Sequence, residues 1–189
     1  MQMTIKAIWA FLLVAAVQLA VPGYMIYEQE TTLRMGSPYR FKTAPIDPYD
    51  PFRGRYVQLR IEASSTRAAE GEQIRPGDWV YVPLATDEDG FAQLLPASLT
   101  PPAQGDYLLL KARYASGSAV HLVLPFDRYY AEETVAPEIE AAYNRNSRRE
   151  QRNAFIAVRV RAGKGVIEEL FIDNLPVREY LQRQAAAAG

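Results

Sequence analysis

The chain has 189 residues, and its 21 lysines and arginines almost balance its 22 aspartates and glutamates, which leaves a formal charge of −1. This balance argues against a nucleic-acid partner, because affinity for phosphate backbones comes mainly from clustered basic side chains. The sequence contains no cysteine and one histidine, His121, so thiolate nucleophiles, disulfides and Cys/His zinc sites are excluded and neither a metal nor a cofactor is expected.

The N-terminal stretch is long and apolar enough to cross a membrane. Residues 7–27 carry no charge and would form a helix about 30 Å long, which matches the hydrocarbon thickness of a bilayer. Tyr24 and Tyr27 lie at its end, where amphipathic rings favour the headgroup layer. We therefore predict a single transmembrane helix that contacts lipid through residues 7–27. The alternative is a cleaved secretory signal, with Lys6 as its basic region and residues 8–17 as its apolar region.

The charges beside this stretch predict its orientation. Lys6 and the terminal amine lie on the short side, so the positive-inside rule keeps them in the cytoplasm and sends the rest of the chain across. The expected arrangement is a single pass with the globular part outside the cytoplasm.

Composition divides the chain into four segments. Residues 1–30 form the anchor or signal, and four prolines between residues 31 and 51 oppose helix formation, which predicts an extended connector there. Residues 52–184 are enough chain for one β-rich domain with its own core. The alanine-rich tail, residues 185–189, is expected to be flexible.

Alternating patterns and turn signals predict antiparallel strands in the domain. Residues 55–62 alternate between apolar and polar side chains, which is typical of a half-buried strand. Residues 79–84 predict another strand, in which Pro83 favours a sheet edge or a strand end because it lacks a backbone N–H. Residues 107–114 and 119–124 predict a hairpin with a four-residue loop.

A helix interrupts the strands before a closing hairpin. Acidic residues near Pro137 and basic residues toward Arg152 complement a helix dipole. Strands at 155–161 and 166–173 flank a glycine-containing turn, and a short helix around 177–183 follows. The predicted fold class is α+β: mainly an antiparallel β-sheet domain with one inserted helix, preceded by an N-terminal transmembrane helix.

The stretch from residue 47 to residue 61, DPYDPFRGRYVQLRI, resembles the signature of the GDYxxLxY-motif proteins, whose pattern reads roughly D-P-x-D-x-x-R-G-D-Y-x-x-L-x-Y. The matching residues are Asp47, Pro48, Asp50, Arg53, Gly54, Tyr56 and Leu59. Arg55 and Ile61 stand where the pattern has Asp and Tyr. The resemblance covers most of the exported part. It implies a protein of the bacterial inner membrane with a periplasmic or other extracytoplasmic domain, and it brings no reaction with it.

The first set of candidate binding residues lies in this signature. Gly54 suits the backbone at the entry to a strand, and Arg53 can form a bidentate pair with Asp47 or Asp50. Together with Tyr56, these side chains predict either a ligand-binding edge or a clasp that fixes the local structure.

The second set lies in residues 126–133, which combine three aromatic residues with four charged ones. Aromatic rings can stack on a sugar or peptide while carboxylates accept hydrogen bonds. The candidates are Asp127, Arg128, Tyr129 and Glu132. A loop whose rings cover a sheet edge is the alternative.

These patterns predict an envelope-facing accessory or interaction module beside another membrane protein, and not an enzyme. One enzyme class stays open, a Ser/Lys hydrolase similar to signal peptidases, with Ser37 as nucleophile and Lys111 as base. It requires these two side chains to approach within hydrogen-bond reach. A periplasmic ligand-binding domain is the other alternative.

Overall fold

The computed structural model describes residues 2–44, 56–146 and 153–188. The elements follow in the order α1 (Gln2–Met35), β1 (Ser37–Ala44), β2 (Tyr56–Gln58), β3 (Arg60–Ile61), β4 (Ser65–Arg67), β5 (Trp79–Thr86), β6 (Ala92–Leu94), β7 (Tyr107–Ser116), β8 (Ala119–Val123), β9 (Arg128–Tyr130), α2 (Ala136–Asn146), β10 (Ala154–Arg161), β11 (Lys164–Ile172), β12 (Leu175–Pro176) and α3 (Val177–Ala188).

Two five-stranded sheets form the body of the domain. The strand order is β12-β11-β10-β1-β3 in the first sheet and β4-β8-β7-β5-β6 in the second, and β2 pairs with β9 in a separate ladder. All ladders between these strands are antiparallel. The predicted α+β class with mainly antiparallel sheet is therefore confirmed.

The turn between β10 and β11 joins the two sheets. The backbone N–H of Leu109 in β7 donates to the carbonyl of Gly163 at 2.8 Å, and Leu108 forms an isolated bridge with the same glycine. This part of β7 is open because β8 pairs with it only from Lys111 onward. The turn thus satisfies a backbone donor that would otherwise lie at an unpaired strand edge.

One hydrophobic core lies between the sheets and under α2. Alternate residues of each strand point into it, and each large aliphatic side chain buried there contributes about 1.5–3 kcal/mol to folding. Its fully buried members include Val80, Val82, Leu108, Leu110, Ile139, Tyr143, Ile156, Val158, Leu170 and Ile172.

The strand predicted at residues 55–62 is divided between two partners. Val57, Leu59 and Ile61 are all buried, as the alternation predicts. However, β2 pairs with β9 whereas β3 pairs with β1. The chain changes partner at Leu59, whose N–H donates to the carbonyl of Asp127 at 2.7 Å. The alternating pattern predicts which face of a strand is buried, but it does not predict which strand pairs with it. This division between two partners could therefore not be predicted.

The segment from residue 31 to residue 44 differs from the predicted extended connector. Helix α1 continues to Met35, and β1 begins at Ser37 and pairs with β10 inside the first sheet. Pro38 is compatible with this strand because prolines are tolerated near the start of a strand. Residues 45–51 lie outside the described residues.

The prediction that Pro83 lies at a sheet edge or at a strand end is wrong. Pro83 lies within β5, which has β7 on one side and β6 on the other. The carbonyl of Pro83 accepts from Leu95 N–H, and Tyr81 exchanges two backbone hydrogen bonds with Ser98 on the same side. In an antiparallel pair an N–H at position 83 would face the carbonyl of Leu95. That carbonyl instead accepts from the Thr66 hydroxyl at 2.9 Å, so the missing donor of Pro83 leaves it with a partner.

The predicted hairpins and helices form, with different ends. Strands β7 and β8 pair up to Ser116 and Ala119, so their loop has two residues and not four. The alanine-rich tail predicted to be flexible belongs to α3 up to Ala188, because alanine has the highest helix propensity. Helix α2 is described to Asn146, and residues 147–152 lie outside the described part.

Candidate functional site

The two sets of candidate residues meet in the β2–β9 ladder. Tyr56 lies opposite Tyr130, Val57 opposite Tyr129, and Gln58 opposite Arg128. Segments about 70 residues apart in the chain therefore form one small surface. Of the first set, Asp47, Asp50, Arg53 and Gly54 lie outside the described residues, so their predicted pairing stays a prediction.

The outward face of this ladder carries an aromatic and cationic cluster. The Tyr56 and Tyr130 rings are 6.0 Å apart between centroids, and the Arg128 guanidinium carbon lies 4.9 Å from the centre of the Tyr56 ring. Asp127 lies 3.6 Å from the Arg128 Nε. Exposed cation–π contacts of this kind contribute about 0.5–1 kcal/mol. Tyr130 is 71% exposed, so the cluster is accessible to another molecule.

The inward face of the ladder is a structural tie. Tyr129 is half-buried, and its hydroxyl donates to Glu169 in β11 at 2.8 Å. Burial, followed by this hydrogen bond and the charge of Glu169, raises the pKa of Tyr129 well above its ordinary value, and Arg178 opposes that rise. Glu132 accepts from Arg178 of α3 at 2.9 Å. Tyr129 and Glu132 therefore hold β9 onto β11 and α3, as a clasp does.

A groove of about 800 Å³ lies between this ladder, the end of α1 and the turn between β10 and β11. Arg128, Tyr129 and Tyr130 form one wall, and the opposite wall belongs to α1. The α1 residues that line it are Met25, Glu28, Gln29 and Thr32, which lie on one helical face by their spacing. Its floor includes Trp79, Leu109 and Gly163.

Helix α1 docks on the domain only over its last turns. Glu28 forms an ion pair with Lys164, and Thr32 is 2% exposed. A Cβ atom on Gly36 would lie 2.5 Å from the Thr32 carbonyl oxygen and 3.0 Å from that of Val160. Glycine at this position therefore lets the helix end approach β10 closely. The helix enters the sheet without a linker.

The apolar part of α1 stands clear of the domain. Among the described residues, α1 is the one helix long and apolar enough to cross a membrane, and its most apolar window is fully uncovered. The uncharged residues end at Tyr27, one position before the ion pair at Glu28. The boundary of the apolar segment thus coincides with the start of contact with the domain.

The other residues considered for chemistry do not come together. Ser37 lies in β1 of the first sheet and Lys111 in β7 of the second, and within the described ranges no hydrogen bond joins them. His121 stacks on the Tyr114 ring at 4.1 Å between centroids. In the part of the chain that the structure describes, no three His, Asp or Glu side chains are grouped as metal ligands.

The sequence predicted only some of the residues that line the groove. Arg128 and Tyr129 were predicted as candidates, but Trp79, Lys164 and the face of α1 were not. The sequence contains one indication for Trp79. It occupies a position of the alternating strand at which side chains point to solvent, and an exposed aromatic residue there can mark an interaction site. The Glu28–Lys164 contact joins residues far apart in the chain and had no local signal.

A family model described as GDYXXLXY protein matches residues 18–170. The chain belongs to this family. The match begins inside α1, includes both strands of the β2–β9 ladder and ends at Leu170 in β11. The predicted family membership is therefore confirmed. Within the family motif, Leu59 is buried in the core whereas Tyr56 lies on the outward face of the ladder. No curated protein and no solved structure matches the chain.

Proposed function

We propose that this GDYXXLXY protein is a single-pass membrane protein whose domain faces the periplasm or another extracytoplasmic space. There it serves as an accessory or interaction module for another membrane protein. The observation that carries the proposal is that an uncovered, uncharged helix continues without a linker into a domain with an exposed aromatic and cationic cluster beside it.

The anchoring role is supported by where the uncharged segment begins and ends. Residues 7–27 are bounded by Lys6 and Glu28 and are long enough for a hydrocarbon core of about 30 Å. Helix α1 continues through Pro22 without a break. Transmembrane helices tolerate an internal proline better than helices of soluble proteins do. A helix that is apolar all round and uncovered needs lipid or protein around it.

The interaction role is supported by the outward face of the β2–β9 ladder. Tyr56, Arg128 and Tyr130 form a surface of the composition that interface hot spots favour, since tyrosine and arginine are enriched there. The surface lies beside the groove next to α1, so a partner anchored in the same membrane can reach it. Nucleic acid is not a proposed partner, because the overall charge is −1.

A non-enzymatic role is supported by the placement of the residues that the hydrolase mechanism would need. Lys111 is an exposed residue, whereas a lysine that acts as a base at neutral pH is usually desolvated. Ser37 belongs to another sheet.

Photo-crosslinking in native membranes tests the interaction role. A photoreactive residue in place of Gln58, which is exposed and lies opposite Arg128, is expected to capture a membrane protein. The same residue in place of exposed Glu70, outside the groove, is the matched control. The additional change Arg128→Ala is expected to abolish capture without lowering Tm. Equal capture at both positions, or no protein adduct at Gln58, would refute the interaction role.

The absence of cysteine allows a clean topology test. Ser118→Cys places a thiol in the exposed turn between β7 and β8, and Thr4→Cys places one before the apolar stretch. A membrane-impermeant maleimide added to intact spheroplasts is expected to label the first variant and to label the second only after permeabilisation. The reverse pattern would refute the proposed orientation.

A further inference from the structure

Two exposed aromatic side chains, Trp79 and Tyr130, lie beside the point where α1 leaves its uncharged segment. Trp79 is 61% exposed and Tyr130 is 71% exposed. Both line the same groove as Met25, a residue of the uncharged segment. Leu109, which is also partly exposed, lines the same groove, and we name these three side chains the Trp79/Tyr130 face.

The position of Met25 sets the depth of this face relative to a bilayer. Met25 precedes Glu28 by three residues, which is about 4.5 Å along a helix. The headgroup layer on each side of a bilayer is about 5–8 Å thick, which is half the difference between the total thickness and the hydrocarbon thickness. If Glu28 marks the outer part of that layer, Met25 lies near the hydrocarbon boundary, and the groove opens into the headgroups.

The charges around the face suit lipid headgroups. Lys111 lies opposite Trp79 on the adjacent strand and makes no ion pair with any described residue. Arg128 precedes Tyr130 by two residues on the same outward face of β9. The carboxylates that line the groove are neutralised within the protein, Glu28 by Lys164 and Glu168 by Arg159. Cations beside tryptophan and tyrosine, with paired carboxylates, match the interfacial zone of a bilayer.

We infer that the Trp79/Tyr130 face rests in the headgroup layer of the bilayer that α1 crosses, so that the domain lies against the membrane surface. This inference rests on the proposed anchoring by α1. It adds a second, peripheral contact with the membrane. Because Arg128 and Tyr130 also belong to the cluster proposed to bind a partner, that partner would meet the cluster at the membrane surface, as a protein anchored in the same membrane can.

The two tryptophans of the chain permit a direct test. Trp9 lies in the uncharged part of α1 and Trp79 in the domain, so Trp9→Phe leaves Trp79 as the sole reporter and Trp79→Phe leaves Trp9. The full-length variants are reconstituted in phosphatidylcholine and phosphatidylglycerol vesicles, with and without bromine near the top of the acyl chains. Bromination is expected to lower the emission of each reporter, because tryptophan rings at headgroup depth or below lie near the brominated part of the acyl chains.

The outcomes separate this inference from the proposed anchoring. Quenching of Trp9 without quenching of Trp79 would leave the anchor in place and overturn the inference. Loss of quenching at both positions would overturn the anchor, and the inference with it. Protection of Trp79 from acrylamide without quenching by brominated lipid would mean that a protein or a second copy covers the face, which also overturns the inference.

A second variant provides a control for the geometry of the face. In the Trp9→Phe background, Tyr130→Ser removes an exposed ring of the face and is expected to weaken the quenching of Trp79. Tyr114→Ser, at another exposed tyrosine outside the groove, is expected to leave it unchanged. Equal quenching in both variants would contradict a shared contact of Trp79 and Tyr130 with lipid.

Discussion

Glu28, the first charged residue after the uncharged segment of α1, forms an ion pair with Lys164, the first residue of β11. The neighbouring Gly163 accepts a backbone hydrogen bond from Leu109 of the second sheet. This end of the β10–β11 hairpin therefore contacts both the helix and the second sheet.

Gly36 is the closest point of contact between α1 and the first sheet. Gly36→Ala is expected to lower the free energy of unfolding by about 1–3 kcal/mol, because the new Cβ atom would press on the carbonyl oxygens of Thr32 and Val160. Gly23→Ala is the matched control, since no atom of the described residues lies within 4 Å of its Cβ position and alanine favours helix. Thermal unfolding in detergent micelles measures both. Equal Tm values for the two variants would contradict the tight helix–sheet contact.

Gly163 combines an unusual backbone conformation with close packing. Its φ is 82°, and a Cβ atom there would lie 2.9 Å from the Tyr107 ring and 3.1 Å from the Leu109 Cβ. Gly117 has a φ of 61°, and no atom of the described part of the chain lies within 4 Å of its Cβ position. Alanine at either position strains the backbone, because both glycines have a positive φ. We expect Gly163→Ala to lower the free energy of unfolding by about 1–2 kcal/mol more than Gly117→Ala does, because of its contacts with Tyr107 and Leu109. Chemical denaturation compares them, and an equal loss would argue against docking of this turn on β7.

The buried side of the β2–β9 ladder predicts a pH dependence. Since the pKa of folded Tyr129 is raised above its ordinary value of 10.0, the stabilisation by its protonated hydroxyl is full below that pH and declines as the pH rises through the folded-state pKa. Tyr129→Phe is expected to cost about 1–3 kcal/mol at neutral pH, as for a hydrogen bond to a charged group.

The difference between wild type and Tyr129→Phe is therefore expected to shrink above about pH 10. Thermal unfolding of both proteins from neutral to alkaline pH measures this difference directly. Because lysines and other tyrosines titrate equally in the two proteins, their contributions cancel in the comparison. A difference that stays constant up to the highest pH would show that Tyr129 is not the group responsible.

Local patterns predicted the longer strands of the domain and its helices but not β1 or β9, and the non-local contacts had to come from the structure. The alternation at Val57, Leu59 and Ile61 identified the buried face, but it did not identify the two partner strands. Tyr56 and Arg128 were each predicted as candidates, and the contact between them joins residues separated by a long stretch of chain. Sequence spacing carries no signal for such a pairing.

The junction between anchor and domain was the part predicted least well. Prolines from Pro38 onward suggested a connector, yet the helix runs to Met35 and the next strand starts at Ser37. Helix propensity and proline statistics describe isolated segments, while pairing of β1 with β10 is a tertiary effect that overrides them. Gly36, between a helix and a strand, was the one available sign of close approach.

Alkaline extraction of membranes, followed by intact mass measurement, tests the central claim most directly. The account predicts that the protein stays in the membrane pellet after a carbonate wash, at the full mass of 21.2 kDa. Release of full-length protein into the supernatant would contradict insertion of α1 into the bilayer. A shortened species that has lost the stretch before Glu28 would instead identify that stretch as a cleaved signal.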